Sequence, residues 1–136
     1  QGIDKVEFYL SANKGQPPKP LASIASGGEI SRIMLAIKTV FQNKDPVKTL
    51  VFDEIDSGIS GHAAEKVAKH LSKLSKSKQI LCITHLSQIA IKADNHIHIV
   101  KYVKDSDTHV EVKYLNKVES SKVIQDLFVG VDLVNA

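Results

Sequence analysis

The sequence predicts an α/β domain: a parallel β–α–β core, then a C-terminal antiparallel hairpin and a closing helix. Three observations carry this. Two short apolar runs, "TLVFDE" and "QILCITH", each end in polar residues able to do chemistry. An amphipathic helical stretch lies between them. Beyond residue 95 the pattern changes to two alternating runs joined by a turn. Strand, helix, strand in that order closes as a right-handed parallel unit, whereas two alternating runs across a tight turn close antiparallel.

At 136 residues the chain reads as one domain, long enough to bury a core. Its 43% hydrophobic and 24% charged residues are ordinary for a globular protein. No apolar run is long enough to cross a membrane, and no basic stretch followed by an apolar core marks a secretory signal. A net charge of +3 permits contact with nucleic acid without arguing for it. Cys82, inside "QILCIT", reads as a buried, reduced thiol of a cytosolic protein. The opening "QGIDKVEFYL" begins in mid-pattern without an initiator methionine, so the chain reads as part of a longer one.

The elements follow in order. Val6, Phe8 and Leu10 alternate with Glu7 and Tyr9, which predicts a strand. "ANKGQPPKP" carries Gly15, Pro17, Pro18 and Pro20, so residues 13–20 read as an exposed loop. Ile30, Ile33, Met34, Ile37, Val40 and Phe41 then predict one apolar helical face, ended by "NKDP". Leu50, Val51 and Phe52 are expected as a buried strand. Ala64, Val67, Ala68, Leu71 and Leu74 mark the next helix, with Ser60 as its N-cap. "QILCITH" is the second buried strand. "HIHIVKYV" and "THVEVKYL" flank the turn "KDSD" and predict the hairpin, and "ESSKVIQDLF" the last helix, with Gly130 near its end.

Three stretches carry chemistry. The first strand delivers Asp53 and Glu54 at its carboxyl end, the usual ligand crevice of an α/β sheet. Two adjacent acids can divide the work, one holding Mg²⁺ and the other orienting or deprotonating water. His85 ends the second strand on the same edge, where an imidazole could donate to a phosphate oxygen or hold an attacking water. Ser26-Gly27-Gly28-Glu29 opens a helix. Free N–H groups and a positive dipole end could meet a phosphate there, although serine is also an ordinary N-cap.

Taken in order, S-G-G-E before a helix, strand-D-E, S-G-I-S-G and strand-T-H fall within about sixty residues. This resembles the second half of an ABC-type P-loop ATPase head: signature motif, Walker B acids, D-loop and switch histidine. "DEIDSGISG" departs from the transporter pattern. Ile55 and Asp56 follow the acids where proline and threonine are usual, Ser60 replaces the D-loop aspartate, and Ala25 stands where many members carry leucine. "KPLASIASGGEISRIMLAIK", "VFDEIDSGISG" and "ITHLSQIA" together resemble the RecN family of bacterial DNA repair ATPases, relatives of the structural-maintenance-of-chromosomes (SMC) proteins.

The resemblance implies that residues 1–136 are the C-terminal lobe of such a head. No G-x-x-x-x-G-K-[ST] loop is present in the sequence. That loop would lie in an N-terminal lobe beyond a long coiled coil, and this chain alone would be inactive. It implies ATP and Mg²⁺ as cofactors, with Asp53 supporting the metal, Glu54 as catalytic base and His85 on the γ-phosphate. Ser26, Gly27, Gly28 and Glu29 would cap a nucleotide held by a second head in an ATP-dependent homodimer, and Ser57, Gly58 and Ser60 would link the two sites. The complete protein would act on DNA double-strand breaks in repair and recombination, in the cytoplasm at the nucleoid, with no membrane partner. The rival readings are a non-catalytic scaffold of the same fold, which the intact acids and His85 oppose, and a transporter ATPase subunit. Lys66, Lys69, Lys73 and Lys76 read as a solvated helix face rather than a DNA contact. Arg32 reads as structural, and His96 with His98 lacks the third ligand a metal would need.

Overall fold

The computed structural model describes residues 2–11, 14–24, 26–104 and 106–130. Asn13 and Ala25 lie outside these. The elements run β1 (Tyr9–Leu10), β2 (Lys19–Pro20), α1 (Leu21–Ile24), α2 (Gly27–Val40), β3 (Thr49–Phe52), α3 (Gly61–Leu74), β4 (Gln79–Cys82), α4 (Ser87–Ala90), β5 (Ile97–Lys104), β6 (Asp107–Tyr114) and α5 (Lys117–Val129).

The central unit is β3–α3–β4. The two strands pair in parallel from Thr49↔Gln79 to Phe52↔Cys82, and the Ile83 N–H adds one more bond to the Phe52 carbonyl at 3.0 Å. All five residues expected on the inner face of α3 (Ala64, Val67, Ala68, Leu71 and Leu74) are buried, with Ala64 and Leu74 fully enclosed. They close over Phe52, Ile55, Leu35 and Ile89. Lys66, Lys69, Lys73 and Lys76 are exposed, as a solvated face requires. Ser60 occupies the N-cap position of α3, but its side chain makes no capping hydrogen bond, and its carbonyl starts the helix instead.

Two expectations about burial need correcting. Val51 is exposed rather than buried, as is its register partner Leu81. Side chains alternate across a strand, and a parallel pair needs cover on both faces. Here α3 packs on one face, and among the described residues nothing covers Val51, Leu81 and Ile83 on the other. Of the apolar face expected on α2, Ile30, Met34, Val40 and Phe41 are exposed, while Ile33 and Ile37 are half-buried. The buried line of α2 is Gly28, Leu35 and Thr39. Apolar residues occupy more than one side of this helix, so periodicity alone could not choose between them.

The connection from α2 to β3 is held by Lys78, a residue the sequence reading passed over. It is 7% exposed, and its ammonium donates to the carbonyls of Asp45, at 3.0 Å, and of Val47. Lys38 binds the Asp45 carboxylate at 2.6 Å. That hydrogen bond, with the Val47 N–H, holds the Asp45 carboxyl below the usual range.

At the ends of the chain the outcome is mixed. Lys19–Pro20, expected in a loop, pairs antiparallel with Tyr9–Leu10, so the N-terminal strand is shorter than its alternation suggested. Pro20 is tolerable in so short an edge pair because no further ladder bond is asked of it. The hairpin forms as expected, from Ile97↔Tyr114 to Lys104↔Asp107, with Ser106 at φ 68° in its turn. Helix α5 begins at Lys117, where Asn116 and Glu119 cap each other's backbone N–H groups, and ends at Gly130 with φ 71°.

Candidate functional site

The N-terminus of α2 is a capping box. The Ser26 hydroxyl accepts the Glu29 N–H at 3.3 Å, and the Glu29 carboxylate accepts the Ser26 N–H at 3.1 Å. The S-x-x-E spacing is the sequence signal for this arrangement. Two donors that could have faced an anion are thus satisfied within the motif.

The two glycines are packed against the acidic turn. A methyl group on Gly28 would lie 2.7 Å from the Glu54 carbonyl and 2.9 Å from Ser57 Cβ. One on Gly27 would lie 2.3 Å from a Glu54 carboxylate oxygen, so that carboxylate covers the Gly27 backbone. Side chains from the next turn of α2 complete the junction. Ser31 donates to the Asp53 carbonyl at 2.8 Å, and Arg32 donates to the carbonyls of Ile55, at 3.2 Å, and Ser57, at 2.8 Å. Arg32 is therefore structural, as expected, and its partners are the loop beyond the acids.

That loop leaves the carboxyl edge of β3. Asp53 is exposed, and its carboxylate accepts the Glu54 N–H at 2.9 Å. Glu54 stands at φ 55°, a conformation sparsely used by side-chain-bearing residues. Ile55 turns wholly into the core and Asp56 is buried beside it. Ser57 and Gly58 are exposed, with Gly58 at φ 71° and open space around its Cα. Ser60 is exposed at the start of α3.

His85 leaves the matching edge of β4. Its ring is exposed, and its Nδ1 lies 3.1 Å from Asp56 Oδ2. The short helix α4, absent from the sequence reading, follows at once and buries Ser87, Ile89 and Ala90. Cys82, at the end of β4, is only partly enclosed. Burial, and then the charges of Asp56 and Asp53, push its thiol up to about 11.

The structure thus gathers Ser26–Glu29, Asp53–Ser60 and His85 at one end of the β3–β4 pair. His96 and His98 do not join them. The His96 ring meets the Ala90 carbonyl at 2.9 Å just before β5 begins, and among the described residues no three metal-binding side chains converge. An open apolar groove between α2 and β3, lined by Ile30, Met34, Leu50 and Val51, reaches Ser31 and Phe52 at the edge of these groups.

No family model matches the chain. Individual proteins do. DNA repair protein RecN of Bacillus subtilis is 46% identical over 135 residues, which are 99% of this chain and 23% of that protein. RecN of Treponema pallidum is 53% identical over 114 residues, 84% of this chain and 20% of that protein. The chain therefore spans about a quarter of the length of the curated relatives it matches, in their C-terminal part. In structure, the Smc head domain with coiled coil and joint from Pyrococcus yayanosii superposes with a TM-score of 0.61 at 25% identity. That match covers 82% of this chain and 21% of the Smc chain. A second SMC ATPase, solved in work on ATP-driven dimerization and DNA-stimulated activation, gives a TM-score of 0.55 at 24% identity. It covers 84% of this chain and 68% of the other.

Proposed function

From a chain that matches the C-terminal part of DNA repair protein RecN along nearly its whole length and folds like part of an SMC head, we propose an ATPase half-site. In this reading the chain is the C-terminal lobe of a RecN-like head. The complete protein couples ATP binding and hydrolysis to double-strand break repair and recombination on DNA, in the cytoplasm at the nucleoid. The observation that carries the reading is the junction at the end of β3. Ser31 and Arg32 tie the glycine-opened helix to the turn bearing Asp53 and Glu54, and His85 stands on the neighbouring strand end.

Roles follow from exposure and chemistry. Glu54 and His85 are exposed and unused by the core, so they are free to meet a substrate. Glu54 is the general base toward water, and His85 holds the terminal phosphate or that water. Asp53 offers one exposed carboxylate. That suits Mg²⁺, which commonly takes one or two carboxylates and fills its shell with water and phosphate oxygens. When bound, the metal neutralises phosphate charge. ATP itself is held by the glycine-lysine loop of the N-terminal lobe. That lobe is also the partner for the uncovered Val51, Leu81 and Ile83 face.

Ser26, Gly27, Gly28 and Glu29 serve the nucleotide of a second head in a homodimer, with Ser57, Gly58 and Ser60 alongside. For a phosphate to reach the Gly27 backbone, the Glu54 carboxylate lying over it must first swing away. Head engagement and release of the base are then one movement.

The test is Glu54→Gln in the complete protein. ATP affinity should stay and turnover should fall by roughly a hundredfold or more, with ATP-bound heads accumulating as dimers. The chain alone should release no phosphate from ATP. Turnover near wild type in the variant would remove Glu54 as base, whereas a complete wild-type protein without ATP turnover would favour the scaffold.

A further inference from the structure

We propose that Asp56 is a positioning residue that clamps His85 through its Nδ1 and leaves Nε2 as the nitrogen offered to the reaction. This rests on the nucleotide-site reading of His85, which assigned Asp56 no part.

Asp56 is 4% exposed, and a carboxylate so enclosed needs donors. Oδ2 accepts two hydrogen bonds from the segment that follows β4, and one ring nitrogen of that segment stands within ion-pair reach. The Thr84 hydroxyl donates at 2.6 Å and the His85 N–H at 2.9 Å, and His85 Nδ1 lies at 3.1 Å. The Thr84 hydroxyl in turn accepts the Leu86 N–H at 3.1 Å. Backbone, hydroxyl and ring of residues 84–86 are thereby tied to the loop that carries Glu54, through one oxygen atom. The His85 side chain is 73% exposed, and among the described residues Asp56 is the only group within ion-pair reach of its ring. Without Asp56, an exposed imidazole would be free to rotate.

The contact also decides where the ring proton sits. A carboxylate oxygen only accepts, so the nitrogen facing it must carry hydrogen. A neutral His85 then has Nδ1–H toward Asp56 and a bare Nε2 lone pair facing outward. Such a ring accepts a hydrogen bond, as from an attacking water, and cannot donate to a phosphate. Donation through Nε2 requires the imidazolium. Donation to a phosphate oxygen by a neutral ring is thereby removed as an option. The logic is that of a carboxylate fixing the tautomer of a catalytic histidine.

The experiment reads the tautomer directly. The chain is prepared with ¹⁵N-labelled histidine, and the His85 ring is assigned by its disappearance in His85→Gln. Its imidazole nitrogens should report Nδ1–H in the wild type. Asp56→Ala should move the proton to Nε2 or give an exchanging mixture. Asp56→Asn, which keeps an acceptor oxygen, should hold Nδ1–H. In the complete ATPase, Asp56→Ala should lower kcat about tenfold or more with ATP affinity nearly unchanged, and Asp56→Asn should recover most of it.

An Nε2–H ring in the wild type would overturn the clamp, as would an unchanged ring in a folded Asp56→Ala chain. If Asp56→Ala does not fold, the wild-type and Asp56→Asn spectra still decide. An Nδ1–H ring together with full turnover in His85→Gln would leave the clamp standing and bring down the catalytic reading of His85 instead.

Discussion

The segment from β3 to α4 and the β5–β6 hairpin have similar proportions of apolar residues and end up very differently. In the first, Ile55, Ala64 and Leu74 lose all exposure and a single cluster ties four elements together. In the second, eight register pairs are made, yet Ile99, Val103, Val110 and Val112 remain exposed. These four lie on one face with Ile97 and Tyr114, because the register sets Ile97 against Tyr114 and Ile99 against Val112. The opposite face carries the Tyr102–His109 stack, with ring centroids 5.6 Å apart. Backbone pairing and apolar burial are thus separable. The hairpin needs only its turn and ladder to take shape, whereas the β3–α4 unit exists through its core.

The contrast is broken most directly by paired truncations. Leu74→Ala should cost about 2–5 kcal/mol, since it opens a cavity in a closed core. Val112→Ala should stay within about 0.5 kcal/mol, because Val112 is exposed and only its cross-strand partner Ile99 stands beside it. Urea unfolding of the two variants measures both, and equal losses would mean that the hairpin face is covered after all. A smaller effect separates the two glycines. Gly28→Ala meets backbone and a short side chain and should cost about 1–3 kcal/mol, whereas Gly27→Ala meets only the tip of the Glu54 side chain, which can rotate. Thermal melts without nucleotide should rank Gly28→Ala below Gly27→Ala, and the reverse order would contradict the packing.

The smallest effect concerns Cys82, on the boundary of the packed unit. Its thiol is raised from an ordinary 9.0 to about 11. Alkylation by iodoacetamide should therefore reach half its limiting rate near pH 11 rather than 9. The sign for stability follows. Between those values the unfolded chain has lost the proton that the folded one keeps, so this contribution is whole below pH 9 and fades as pH rises through 11. A half-maximal rate near pH 9 would mean that the thiol is freely solvated.

The inner face of α3 and both hairpin strands were legible because their periods are unambiguous and each segment decides its own pattern. The candidate site residues could be named because chemistry and spacing select them, and the structure draws them to one end of the parallel pair. What escaped the sequence depends on which distant segment arrives. Lys78 reads as one more surface lysine until the loop carbonyls of residues 45 and 47 close on it. Asp56 reads as a third acid in a run until Thr84 and His85 reach its oxygen. The orientation of α2 was undecidable from its own residues, since Leu35 and Ile30 compete for the inside. The capping box was different: S-G-G-E spells it, and attention to the glycines hid it.

Gly28 carries a consequence for descent. Its replacement is opposed by the Glu54 carbonyl, Ser57 and Arg32, whether or not any nucleotide ever arrives. A lineage that gave up ATP hydrolysis would keep this glycine for packing, and Ser26 and Glu29 for the helix end. Glu54 and His85, whose side chains stand outside the core, would be released first. In such a lineage the glycine motif would outlast the activity. If Glu54 and His85 act as proposed, a living copy is to be told from a dead one at positions 54 and 85, whose side chains are exposed.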